Sequence, residues 1–135
     1  MKTYWMIWAA FVIAVFHYPV IALFVFPTPA EGGGEILFTY IFGFVGLVCG
    51  MGSLFVWSRM IVEPFREGKL KVDLESNPPK LNPLFIIAWA LAEAPAVYGI
   101  VAAVLEPVQY ATIGFSAFSL LILLLESPAI LNEKA

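Results

Sequence analysis

The residue with the clearest potential for chemistry is Glu93, a single carboxylic acid in the otherwise largely apolar run from Ala90 to Leu105. Moving a carboxylate out of water is costly, so an acid in an apolar helix is by default a functional candidate. The four apolar segments of the chain contain no Lys or Arg that could balance its charge. We therefore expect Glu93 to be protonated at rest and to bind a proton reversibly, because burial disfavours the charged form.

Several polar groups are candidate partners for Glu93. Pro95 has no N–H and cannot bond the carbonyl of Leu91, so this carbonyl is free to accept a hydrogen bond from Glu93. His17 falls at a comparable helical depth and could form a relay with Glu93, although we favour a neutral His17 bonded to a backbone or hydroxyl group. The remaining polar candidates are Tyr98, Ser116 and Ser119, for each of which we favour simple interhelical packing over a bond to Glu93.

Other site classes are excluded by the residue inventory. The chain has one cysteine, Cys49, and one histidine. A disulfide within the chain and a His/Cys metal cluster are therefore impossible. We find no glycine-rich phosphate loop, nucleophile triad or basic nucleic-acid-binding face. The sequence predicts no catalytic residue, no metal, no cofactor and no nucleic-acid partner, and we expect the protein not to be an enzyme.

The composition is that of a membrane protein. Hydrophobic residues make up 61% of the 135 residues and charged residues 13%, whereas soluble domains have about 45–50% and about 25%. Four apolar segments, at about 4–26, 36–57, 83–105 and 108–125, have roughly the 17–25 residues that cross a bilayer. Backbone groups in lipid must bond internally, so these segments should be helices. We predict an all-α membrane protein with one transmembrane domain over 1–135.

The charges predict the orientation. All seven basic residues fall at the chain termini or in the polar stretch 58–82. The positive-inside rule places that side in the cytoplasm. We therefore expect a multi-pass protein of the cell (inner) membrane with both termini and the loop 58–82 in the cytoplasm. We interpret the loop as a solvated linker, with a short amphipathic segment over 62–74 as the alternative.

Small residues form a narrow stripe on each of the two central helices, within an arc of about 80° at 3.6 residues per turn. Close approach of small residues favours helix packing in lipid. The predicted packing residues are Gly43, Gly46, Gly50 and Ser53 in the second segment, and Ala88, Ala92, Ala96, Gly99 and Ala103 in the third. The two stripes either face each other in a tight hairpin or face neighbouring subunits.

The region 36–105 resembles the rotor-ring proteolipids, the c subunits of rotary ATP synthases. In that family a membrane carboxylate is followed by a small residue and by a Tyr-Gly pair, which here are Glu93, Ala94, Tyr98 and Gly99. A glycine-rich helix, here "FGFVGLVCGMGS", precedes a loop with Pro and Arg. The resemblance implies a helical hairpin in a homo-oligomeric ring, with Glu93 and Tyr98 at an ion site. Sodium-binding members carry Ser or Thr where this chain has Ala94, so the implied ion is a proton.

Three functions follow from these features. The first is a ring-forming or otherwise oligomeric membrane subunit that binds protons at Glu93. The second is a non-catalytic four-helix scaffold or regulatory subunit of a larger complex, in which Glu93 is a structural hydrogen-bonding group. The third is a small transporter or channel with Glu93 lining its path. The expected partners are membrane lipid, further copies of the chain and possible other membrane subunits.

Overall fold

The computed structural model describes residues 1–25, 36–76, 80–106 and 109–134. Its helices are α1 (Lys2–Val25), α2 (Leu37–Phe55), a π-helical segment (Val56–Val62), α3 (Glu63–Arg66), α4 (Pro83–Leu105), α5 (Gln109–Leu125) and a C-terminal 3-10 helix (Pro128–Lys134). Four helical stretches are long and apolar enough to span a membrane, which confirms the predicted all-α class with four apolar helices. The expected end of the first helix at residue 26 and the start of the fourth at residue 108 lie outside the described residues.

The start of α4 shows how the sequence sets a helix boundary. The Asn82 side chain accepts a hydrogen bond from the N–H of Leu84 at 3.0 Å, and Pro83 occupies the first turn. A proline is tolerated there because its missing N–H would have no partner inside the helix. The N–H of Asn82 donates to the Tyr4 hydroxyl at 2.9 Å, which ties the start of α4 to the start of α1.

The helix that begins at Leu37 continues beyond the expected boundary at residue 57. The π-helical segment and α3 extend it to Arg66, so residues 58–66 are helical rather than part of a loop. The cause is an apolar spacing of four, which places Trp57, Ile61 and Phe65 on one buried face. Gly68 then ends the helix with a φ of 73°, a conformation that glycine adopts without steric cost.

Helix α4 lies at the centre of the bundle and packs against α1, α2 and α5. Its small residues are buried in these contacts, with Ala88, Ala92 and Ala96 fully inaccessible to solvent. On α2, a Cβ atom on Gly46 would lie 3.2 Å from Cα of Pro95, and one on Gly50 would lie 2.6 Å from the Phe118 ring. The stripe of α2 therefore faces α4 and α5 within the same chain.

The outer surface of the bundle is apolar. Large hydrophobic side chains are exposed along α1, α2 and α5, among them Phe16, Phe24, Phe44, Met51, Leu121 and Leu124. The buried positions, in contrast, include several polar side chains: Ser53, Glu106, Thr112, Ser116, Ser119 and Glu126. An apolar exterior around polar interior groups suits a helix bundle whose surroundings are hydrocarbon.

Candidate functional site

The carboxyl group of Glu93 is hydrogen-bonded to a residue of another helix. Tyr18 of α1 donates its hydroxyl hydrogen to Oε1 of Glu93, with an oxygen–oxygen distance of 2.5 Å. Glu93 lies ten residues beyond the start of α4 at Pro83, about 15 Å along the helix axis. This bond therefore connects α1 and α4 near the middle of an apolar helix.

Glu93 lines a groove on the side of the bundle. Ala10, Phe11 and Ala14 of α1 form the groove together with Glu93, and its volume is about 200 Å³. Glu93 is half-buried. The small side chains of Ala10 and Ala14 leave space beside the carboxyl. Glu93 is the polar residue in a groove that is otherwise lined by apolar side chains.

The other predicted partners of Glu93 lie elsewhere. His17 is exposed, and its Nδ1 lies 2.7 Å from the carbonyl oxygen of Ile13, one turn earlier in α1. Because a carbonyl only accepts, this contact requires a proton on Nδ1. The contact is the expected bond of His17 to the backbone, and among the described contacts His17 forms no relay with Glu93.

Tyr98 points away from Glu93. Five residues at about 100° each place the two side chains about 140° apart around α4. The Tyr98 ring stacks on Phe42 of α2, with centroids 5.7 Å apart and planes 12° apart. The spacing that suggested a shared ion site thus brings Tyr98 to α2, while the Glu93 carboxyl meets α1.

Pro95 and Ser119 shape the backbone next to Glu93. Ser119 of α5 accepts a hydrogen bond from the N–H of Ala96 at 2.9 Å, and its hydroxyl lies 3.5 Å from the carbonyl oxygen of Glu93. Pro95 is buried against Gly46. The hydrogen bond described for the Glu93 carboxyl comes from Tyr18. The proposed hydrogen bond between this carboxyl and the Leu91 carbonyl is not among the described contacts.

A second acid, Glu126, is enclosed at the end of α5. Its exposed fraction is 0%. Ser53 of α2 lies 2.5 Å from its Oε1, and the indole N–H of Trp89 donates to its backbone carbonyl at 3.0 Å. The indole N–H of Trp8 donates to the carbonyl of Leu123 at 2.8 Å, so two tryptophans bond carbonyls at the end of α5 that the helix leaves unpaired.

Sequence reasoning missed Tyr18 and Glu126 for different reasons. Tyr18 became relevant only through the pairing of α1 with α4, which no local pattern reveals. Glu126 follows the last apolar residue of α5, a position typical of an acid in the headgroup region. A detectable signal was present downstream, since Ile130 and Leu131 indicate a further apolar turn that could cover it.

Glu106 directly follows the C-terminal end of α4, and its carboxylate contacts differ from those of Glu93 and Glu126. Its Oε1 accepts from the N–H of Phe38 at 2.7 Å, and its Oε2 accepts from the N–H and the hydroxyl of Thr39. Burial raises the pKa of Glu106, but the hydroxyl and the two N–H donors outweigh it and hold the pKa below its ordinary value. Glu106 is thus an ionised carboxylate at the N-terminus of α2, where the helix dipole favours a negative charge.

Within the described ranges, no group of three or more His, Cys, Asp or Glu side chains could hold a metal ion. Comparisons of the chain with models of protein families, with curated proteins and with solved structures find no match. The resemblance to rotor-ring proteolipids therefore depends on the residues quoted for it, and function has to be argued from the geometry.

Proposed function

We propose that this chain is a multi-pass membrane protein in which Glu93 binds and releases a proton in the middle of the bilayer. The observation that supports this most strongly is the hydrogen bond between Tyr18 and Glu93 at a groove between α1 and α4. A carboxyl at this depth is expensive to ionise, and its partner is a neutral hydroxyl.

No basic residue in the described ion pairs is bound to the Glu93 carboxyl. The ion pairs of the described residues join Arg59 to Glu63, Arg66 to Glu133 and Lys69 to Glu67, and none of them includes Glu93. The Tyr18 hydroxyl donates to one carboxyl oxygen in either protonation state. Tyr18 therefore orients the carboxyl group by donating to one of its oxygens.

Proton exchange requires access to Glu93, and the groove leaves space beside the carboxyl. Ala10 and Ala14 leave room beside the carboxyl for water, or for a polar group of a neighbouring subunit. In the homo-oligomer that the sequence resemblance implies, an adjacent copy would close this groove and complete the site. The basic residues of the chain place both termini on the cytoplasmic side in this proposal.

The experiment combines chemical labelling with proton flux in reconstituted liposomes. A carbodiimide that reacts with protonated membrane carboxyls should label Glu93, and raising the pH should slow the reaction. Glu93→Gln should remove the labelling and abolish proton flux while the protein still assembles. Absence of labelling in the wild-type protein would overturn the proposal.

The oligomeric state provides an independent measurement. Native mass spectrometry of the wild-type protein and of Glu93→Gln should give the same number of copies, because the exchange keeps size and polarity. A strictly monomeric protein in lipid would exclude a ring of copies and confine the proton function to a single bundle. A closed ring would instead support the relationship to rotor proteolipids.

A structural role is the second candidate, and the same hydrogen bond favours it. Tyr18 and Glu93 join α1 to α4, so the carboxyl could serve a scaffold or regulatory subunit by fixing these helices. In that case Glu93→Gln should retain the hydrogen bond through its amide oxygen and change neither flux nor assembly. Unchanged flux and assembly would therefore select the scaffold.

A further inference from the structure

The interior of the bundle contains an acid for which the proposed function has no use. Glu126 follows α5 directly and has an exposed fraction of 0%. Its Oε2 atom is buried without a hydrogen-bond partner in the part of the chain that the structure describes. A buried polar atom without a partner is uncommon in folded proteins and requires an explanation.

Hydrogen counting around Ser53 defines the protonation state of this acid. The Ser53 oxygen lies 2.7 Å from the carbonyl oxygen of Ala88 and 2.5 Å from Oε1 of Glu126. A serine hydroxyl has one hydrogen to donate, and a backbone carbonyl has none. Both contacts are full two-centre hydrogen bonds when Ser53 donates to Ala88 and the Glu126 carboxyl donates to Ser53.

The groups that face Glu126 provide no compensating charge. Ser53 contacts it from α2, Trp89 of α4 bonds its carbonyl, and Trp8 of α1 bonds the neighbouring Leu123. None of these side chains is charged near neutral pH. The described hydrogen bonds and ion pairs link Glu126 to no cation, whereas Arg66 is paired with Glu133 on the C-terminal 3-10 helix.

The C-terminal 3-10 helix covers this end of the bundle. Pro128, Ile130 and Leu131 are buried, and Arg66 binds both carboxylate oxygens of Glu133 at 3.0 and 3.1 Å. The ion pair connects the covering helix to α3. Exchange of the Glu126 proton with water therefore requires a local opening at this end.

We propose that Glu126 is a second proton-binding site, in which the carboxyl carries a proton near neutral pH and donates it to Ser53. On release, the O–H bond of Glu126 breaks and water takes the proton. Ser53 then turns its hydrogen from the Ala88 carbonyl to the Glu126 carboxylate. This proposal does not depend on proton binding at Glu93, because the two acids have separate partners.

Infrared spectroscopy of the protein in lipid tests the site directly. The carbonyl stretch of a protonated acid should be present near pH 7 and should be lost in Glu126→Gln. The control variant Glu93→Gln should leave this band in place, which separates failure at Glu126 from failure at Glu93. If Glu126→Gln removes a carboxylate band and leaves every protonated-acid band unchanged, Glu126 is ionised and the proposal is wrong.

A second variant keeps the test valid if Glu126→Gln does not fold. Ser53→Ala removes the acceptor of the Glu126 proton, so the acid band should shift toward the frequency of a weakly bonded carboxyl. Ser58→Ala is a matched control, because Ser58 is exposed and bonds only the carbonyl of Phe55 among the described residues, at 3.4 Å. An acid band that Ser53→Ala does not move would overturn the proposed donation to Ser53.

Discussion

Glu93 and Glu126 are both acids without a basic partner among the described residues, but they differ in burial and in their hydrogen-bond partners. Glu93 lies in the middle of α4, is half-buried and is held by a tyrosine across a groove. Glu126 lies just beyond α5, is fully enclosed and is held by a serine and a tryptophan. The site predicted from sequence is thus the more accessible one, and the site at a helix end is the more deeply buried.

The comparison shows that depth along a helix and burial within a bundle are separate quantities. Depth follows from counting residues, whereas burial depends on which helices pack around a position. The groove leaves Glu93 half-buried, whereas Glu126 is fully enclosed. Proton exchange at Glu126 should therefore be coupled to local opening, and that at Glu93 should not.

The largest expected effect comes from Trp89→Ala, which removes a fully buried indole and its bond to Glu126. Truncations of buried aromatic residues cost about 3–5 kcal/mol. Thermal unfolding in lipid should show a loss of this size, and hydrogen exchange of the Glu126 acid should accelerate. The control Trp5→Ala alters a partly exposed indole and should cost clearly less. Equal losses in both variants would contradict the tight packing inferred around Glu126.

The next effect is expected from Gly99→Ala, at the interface of α4 and α5. A Cβ atom there would lie 2.7 Å from Cβ of Phe115, which cannot rotate away. Overpacking typically costs about 1–3 kcal/mol. Gly114→Ala is the control, because a Cβ atom on Gly114 meets nothing within 4 Å. If unfolding temperatures fall in Gly99→Ala and not in Gly114→Ala, the tight contact of α4 with α5 at Gly99 and Phe115 is confirmed.

A smaller effect is expected from Tyr18→Phe, which removes the hydrogen bond to Glu93 and keeps the ring. A typical intramolecular hydrogen bond contributes about 0.5–1.5 kcal/mol. Carbodiimide labelling of Glu93 should also change its rate, while the infrared band of Glu126 should not change. Tyr110→Phe is the control, since Tyr110 is exposed at the start of α5. A changed Glu126 band in Tyr18→Phe would show that the two acids are coupled.

The smallest effect is expected from Glu106, the ionised acid that serves as a reference for the other two. Its pKa is lower in the folded chain than in the unfolded one, so its stabilisation is complete above about pH 4.3. The stabilisation is lost as the pH falls through the lowered folded value. Unfolding measured between neutral and acidic pH should show this loss, and Glu106→Gln should reduce it. If Glu106→Gln loses as much stability at acidic pH as the wild-type protein, the pH dependence of unfolding comes from other groups.

The four apolar helices and the start of α4 at Pro83 could be predicted, because length, hydropathy and a capping pair are local properties. The helical continuation to Arg66 could not, since Arg59 and Glu63 on the exposed face conceal the apolar spacing of Trp57, Ile61 and Phe65. In this segment, the charged residues lie on one face of a helix whose other face is apolar, so their presence did not indicate a loop.

The candidate site was predictable only in part, and for geometric reasons. The apolar flanks of Glu93 identified it without knowledge of any other helix. Its partner Tyr18 follows His17 by one residue, which turns the two side chains about 100° apart on α1, and only the packing of α1 on α4 decides which of them meets the acid. The same limit applies to Ser53 and Glu126, which come from different helices.

The indoles that bond the end of α5 have a consequence for biogenesis. Trp8 and Trp89 belong to helices that the ribosome produces before α5, but their acceptors are the carbonyls of Leu123 and Glu126. Until α5 has been synthesised neither acceptor exists, so both indole N–H groups need other hydrogen-bond partners. Synthesis of α5 supplies both acceptors together, so this helix completes the hydrogen bonding of two indoles on helices that precede it.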